Sequence, residues 1–149
     1  MWDELGIAFG IVAVCVMIHT LGIVILGERL VRYREEPNHR HGTATHALIL
    51  ALVFAIISVL HLVETAIWAI FYRAWGLFGD FETSFYFSLI TYATIGYGDV
   101  VLSEKWRLLG GIEGLTGVLL SGLSTAFIFV VLSSLFQFRT QRKMGTDQT

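Results

Sequence analysis

The chain is short of charge, proline and cysteine, and each shortage removes a class of protein. Only 15% of its 149 residues are charged while 55% are apolar, which lies outside the soluble globular range and excludes a water-soluble domain. One proline and no Gly/Ser-rich tract leave no linker between domains, and no internal repeat is visible. The single cysteine, Cys15, falls inside an apolar run, so there is neither a disulfide framework nor a Cys-based metal site. That run carries no regularly spaced arginines, which excludes a voltage-sensing helix. The net charge of −2 is small, and no nucleic-acid partner is expected.

What the chain has in abundance is long apolar stretches. Crossing a bilayer core takes roughly 20 apolar helical residues, and residues 5–27, 47–72 and 108–136 each meet that requirement. The first follows the acidic "MWDE" rather than a basic start, so it reads as a retained span and not a secretory signal. Arg29, Arg32, Arg34, Arg40, Arg139, Arg142 and Lys143 flank the spans on one side, leaving Arg73, Lys105 and Arg107 for the other. That imbalance predicts an outside N-terminus and a cytoplasmic C-terminus in a multi-pass protein of the plasma (cell inner) membrane. Trp68, Tyr72, Trp75 and Trp106 are expected to gather at the outer boundary.

Between the second and third spans lies "GDFETSFYFSLITYATIGYGDV", whose apolar part is about a dozen residues, roughly half a crossing. Irregular backbone at membrane depth survives only when buried in protein or lining a water-filled cavity, so the expected form is a half-helix followed by a glycine-rich return. Asp80, Thr83 or Ser84 is placed to cap that helix at its outer end, and its negative C-terminal dipole then favours a cation. Gly96 and Gly98 tolerate positive φ, which lets the carbonyls of Thr94, Ile95, Gly96 and Tyr97 point one way and replace a cation's water.

The residues "TIGYGD", after a short aromatic-rich helix and before a glycine-bearing span, resemble the signature of small prokaryotic-type potassium channels of the two-transmembrane pore-loop class. Chance matches at Thr94, Gly96, Tyr97, Gly98 and Asp99 arise about once in a million starts. The resemblance implies an all-α membrane protein and homotetrameric channel: three transmembrane helices, a re-entrant pore helix and a selectivity-filter loop. Its expected parts are an extra N-terminal helix over 1–27, a cytoplasmic linker over 28–46, a pore module over 47–138 and a cytoplasmic tail over 139–149. Within the module fall an outer helix 47–72, a pore helix 83–93, the filter 94–98 and an inner helix 108–136. Potassium is expected on the carbonyls of Thr94, Ile95, Gly96 and Tyr97, with Thr94 hydroxyls adding an inner ring, Gly98 closing the filter, and Asp99 and Glu104 at the outer mouth. No enzyme activity is expected, and no cofactor beyond the permeant ion; the partners are lipid and three further copies. The alternatives are a non-selective cation channel or an accessory subunit, and a metalloenzyme using His39, His41, His46, His61 and Glu64 lacks paired histidine clusters.

The chain also departs from the family's pattern. The acidic residue that relatives place on the pore helix corresponds to Ile90, and Tyr86 and Phe87 stand where several relatives carry tryptophans, so Asp99 needs another partner. Glu64 and Glu113 lie roughly 10–12 Å in from the outer helix ends, where a carboxylate must be paired, hydrogen-bonded or protonated. They are expected to brace the filter through Thr91, Tyr92 or backbone amides, with plain packing or an ion site as alternatives. His61, Glu64, Thr65 and Trp68 form one stripe that should face protein, within reach of His19. Gly110, Gly114, Gly117, Ser121 and Ser124 make a small-residue face. On it Gly117, with Gly122 nearby, is either a hinge or a close-packing point, and Thr125 is expected at the cavity below Thr94.

Overall fold

The computed structural model describes residues 2–35 and 42–146, with side chains over 5–33 and 42–135. The described residues form four helices and no strand: α1 (Trp2–Glu35), α2 (Thr43–Ala74), α3 (Phe81–Tyr92) and α4 (Arg107–Thr146). Three helical stretches, Leu5–Tyr33, Thr43–Ala74 and Arg107–Leu135, are long and apolar enough to cross a membrane. At 1.5 Å per residue each reaches roughly 45 Å, beyond the hydrocarbon thickness of about 30 Å. With 12 residues α3 cannot cross, and it lies in the chain between α2 and α4. Of the residues expected in the polar loop, His39 and His41 lie outside the described residues.

The helices are longer than the apolar runs. Most of the expected linker is helical: α1 continues through "ERLVRYRE", and α2 already starts at Thr43. Arginine and glutamate are good helix formers, and Arg32 bonds Glu28 one turn back at 3.1 Å, so the helix persists after the hydropathy ends. The same holds for α4, which runs past residue 136 into the polar tail.

α2 stops in a turn its sequence prescribes. Gly76 takes φ 69°, Leu77 N–H donates to the Tyr72 carbonyl at 2.9 Å, and Gly76 N–H donates to Arg73 at 3.1 Å. This pair of bonds around a left-handed glycine is the Schellman ending, and it turns the chain towards α3. α3 then starts at Asp80, whose carboxylate accepts from the Thr83 N–H at 2.7 Å and the Thr83 hydroxyl at 2.8 Å. Such a cap is worth about 0.5–2 kcal/mol.

α3 packs against both α2 and α4, while α1 lies along α2 and α4. Two apolar clusters result. One joins Ala8 and Cys15 of α1 to Trp68, Tyr72, Phe87, Tyr92, Leu109 and Leu120; the other, towards the opposite end, joins Leu26, Val53, Ile57 and Val131. Trp68 and Tyr72 are fully buried in the first cluster, so they do not act as interfacial anchors as the sequence suggested; Trp75 remains exposed. A Tyr72 ring facing Phe87 edge-on at 5.3 Å explains the preference, since aromatic pairs at the α2–α3 contact gain from protein packing what a lipid boundary would not supply.

Candidate functional site

The glycine-rich loop after α3 is shaped by its own backbone. φ is positive at Thr94 (58°), Gly96 (53°) and Gly98 (81°), and at neither Ile95 nor Tyr97, so its sign alternates through the segment. Alternating conformations of this kind align successive peptide groups, with N–H groups to one side and carbonyls to the other. A Cβ on Gly96 or Gly98 would meet nothing within 4 Å, so the glycines serve conformation and not space. Thr94 reaches the left-handed region with a β-branched side chain, a strain of order 1–3 kcal/mol that the surroundings must hold in place.

What holds it is the end of α3. Ile95 N–H and Gly96 N–H both donate to the Ile90 carbonyl, at 2.8 and 3.2 Å, and Thr94 N–H donates to Thr91 at 2.9 Å. The last turn of α3 thus takes the first three donors of the loop. Among the described residues no backbone N–H is given back to the carbonyls of Thr94, Ile95, Gly96 or Tyr97. Those four residues are exposed along the chain surface, with Ile95 at 52% and Tyr97 at 71% of full exposure, an arrangement unsuited to a lone chain in lipid. A row of free carbonyls can coordinate a desolvated cation.

Asp99 finds its partner one residue before the position the sequence singled out. The Tyr86 hydroxyl donates to Asp99 Oδ2 at 2.7 Å and holds that carboxyl below the usual range, while Phe87 is buried against Tyr72 and Phe78. Tyr86 therefore does the work an indole would do at Phe87. Glu104 is exposed in the turn before α4.

Two fully buried carboxylates flank α3. Glu113 on α4 accepts from the Tyr72 hydroxyl of α2 at 2.7 Å and from the Ser88 hydroxyl of α3, and Ser88 also reaches the Thr65 carbonyl at 2.8 Å. One side chain so joins three helices around the middle of α3. Glu64 on α2 accepts from the Tyr92 hydroxyl at the last residue of α3 and lies 2.7 Å from His19 Nδ1 on α1. The geometry brings together Glu64 and Tyr92, but not Thr91: its methyl lies beside Gly110 while its carbonyl holds Thr94. Ser88 was not anticipated, because a serine inside an apolar helix has no distinguishing signal until its neighbours are known. The stripe of His61, Glu64, Thr65 and Trp68 does turn inward, with Glu64, Thr65 and Trp68 buried and His61 partly so.

α4 supplies the back wall. A Cβ on Gly117 would sit 2.1 Å from the Tyr92 carbonyl oxygen and one on Gly114 would sit 3.2 Å from that of Thr91, so the end of α3 lies directly on the small-residue face. Gly122 has open space around it, and the exposed Thr125 turns its hydroxyl back to the Ser121 carbonyl at 2.9 Å.

Three membrane-length helices, two of which hold between them a half-crossing helix that is braced by buried carboxylates and ends in a row of unpaired carbonyls, define a membrane protein built to pass ions. The chain belongs to the ion channel family, which matches residues 48–134, more than half its length. No curated protein and no solved structure matches it. The matched region runs from the start of α2 through most of α4 and leaves α1 outside.

Proposed function

We propose that the protein is a passive, potassium-selective channel made of four copies, with the carbonyls of Thr94, Ile95, Gly96 and Tyr97 as its selectivity filter. The observation that carries this reading is the alternation of φ at Thr94, Gly96 and Gly98, combined with the capture of the Thr94, Ile95 and Gly96 N–H groups by the end of α3. Four chains about one axis would stack these carbonyls into rings that exchange a potassium ion's water for protein oxygens. Gly98 ends the filter, Asp99 and Glu104 raise the cation concentration outside it, and the inner side opens past Thr94 towards Thr125. No bond is made or broken in this transport, so the protein is no enzyme and the permeant ion is the only species it needs. The orientation follows the arginine distribution, with the C-terminus in the cytoplasm of the cell whose inner membrane holds the channel.

The deciding measurement is the reversal potential of the purified protein in planar bilayers with potassium on one side and sodium on the other. A value near the potassium equilibrium potential is expected. Current that reverses near zero would make it a non-selective cation channel, and an absence of current with correctly folded protein would make it an accessory subunit.

A further inference from the structure

Two histidines, a glutamate, a tyrosine and a serine close a ring beside the C-terminus of α3. His19 Nδ1 lies 2.7 Å from Glu64 Oε1, and His61 Nδ1 lies 3.2 Å from Glu64 Oε2 and 3.1 Å from the Tyr92 hydroxyl. On the far side of both imidazoles, Ser124 Oγ lies 3.0 Å from His19 Nε2 and 3.1 Å from His61 Nε2. His19 and Glu64 are fully buried, and the His61 side chain is 22% exposed, which leaves a way in.

The protons of this ring do not close when both histidines are neutral and Glu64 is ionised. Tyr92 spends its single hydroxyl proton on Glu64, so both Nδ1 atoms, which face carboxylate or phenol oxygens, must carry hydrogens. Both Nε2 atoms are then acceptors, and Ser124 has one proton to share between them. One nitrogen is left facing an oxygen lone pair inside the protein, a cost of about 1–3 kcal/mol. A metal ion removes the conflict. If the two Nδ1 lone pairs and Glu64 bind a cation, the imidazole protons sit on Nε2, and the two lone pairs of Ser124 accept both.

We infer that His19, His61 and Glu64 form a binding site for a divalent first-row transition ion, of which zinc is the representative, tying α1 to α2 behind the end of α3. The ligand atoms of the three residues all lie within 4.8 Å of one another. A tetrahedral ion with bonds of about 2.0–2.1 Å holds its donors roughly 3.3 Å apart, so the 2.7 and 3.2 Å pairs need only slight spreading. Two imidazole ligands suit zinc, nickel, copper and iron over calcium or magnesium. Ser124 and Tyr92 act as positioning residues, because ligating histidines and carboxylates are oriented by hydrogen bonds from behind. Only His19 comes from the helix outside the family match, while His61 and Glu64 lie on α2 within it, and the site is independent of which ion the pore selects.

The test uses the purified full chain, stripped with a chelator, titrated calorimetrically with zinc and then studied by zinc-edge X-ray absorption. One ion per chain is expected, with two imidazole nitrogens and carboxylate oxygen at about 2.0–2.1 Å. His19→Gln should weaken binding by at least about tenfold, whereas replacing His39, His41 and His46 together should leave it unchanged. If His19→Gln fails to assemble, Ser124→Ala takes its place, with a loss of about 10- to 100-fold expected at unchanged oligomer size. No binding by the wild type, an all-oxygen absorption spectrum, or binding that follows His39, His41 and His46 would overturn the assignment; in the first case the ring holds one extra proton instead of a metal.

Discussion

At the scale of single residues, Asp99 shows how a missing partner is replaced. The Tyr86 hydroxyl donates to its carboxylate and stabilises the charged form, so the folded value lies below that of the unfolded chain. A depressed carboxyl contributes stability that is present above the ordinary aspartate range and is lost as the pH falls through the depressed value. Tyr86→Phe removes the donor, and Asp99 should then take up its proton at higher pH than in the wild type. Ion flux followed as the outer pH is lowered reads this directly: the acid block of the variant should set in earlier, and coinciding profiles would show that the bond does not tune the outer mouth. The sequence alone exposed the vacancy, since Phe87 has no donor, yet it did not identify the substitute. Tyr86 precedes Phe87 by one position, and only the rotation of α3 decides which of the two rings turns towards Asp99. Thr94 was hidden for a similar reason. Nothing in a threonine announces a positive φ, whereas Gly96 and Gly98 advertise theirs.

The elements meet most closely where the end of α3 crosses α4. Gly117 has no room for a side chain, because its Cβ would lie 2.1 Å from the Tyr92 carbonyl oxygen and 2.9 Å from the carbonyl carbon, and backbone there cannot move without disturbing the loop that follows. Gly117→Ala should therefore destabilise the protein by about 1–3 kcal/mol or more through overpacking. Gly122→Ala meets nothing within 4 Å and should be neutral or gain up to ~1 kcal/mol of helix propensity. Thermal unfolding in detergent separates the two readings of Gly117: equal melting temperatures for both variants would speak for a hinge, and a drop confined to Gly117→Ala for close packing. Of this architecture the spans and the half-helix were legible in the sequence, since hydropathy and helix rise set them, and so was the small-residue face. The bracing was legible only in outline. That buried carboxylates need partners follows from their depth, but that Glu113 takes Tyr72 and Ser88 while Glu64 takes Tyr92 depends on how three helices are rotated and shifted, which no single-helix pattern encodes. Helix ends were likewise underestimated, because the polar turns at "ERLVRYRE" persist by local propensity after the apolar signal stops.

For the whole molecule the question is what α1 adds to a pore module that the family defines without it. α1 lies on α2 and α4, brings Ala8 and Cys15 into the buried cluster, and seats Gly22 so closely that a Cβ there would come within 2.7 Å of Leu60. Among its described side chains the one buried polar group is His19, which reaches Glu64 and through it the last residue of α3. The loop itself is held by the Ile90 and Thr91 carbonyls, and Glu113 braces the middle of α3 from α2 and α4, so neither device passes through α1. Deleting residues 1–27 should accordingly lower the thermal stability of the assembly and remove zinc binding, while the potassium-to-sodium permeability ratio stays as in the full chain. Reversal potentials of the truncated and full proteins, measured beside their melting temperatures, separate these effects. A permeability ratio that collapses while the proposed four-chain assembly remains intact would mean that the Glu64–Tyr92 contact needs His19 to keep the carbonyl row in shape, and would make α1 part of the scaffold of the proposed filter and not only of its surroundings.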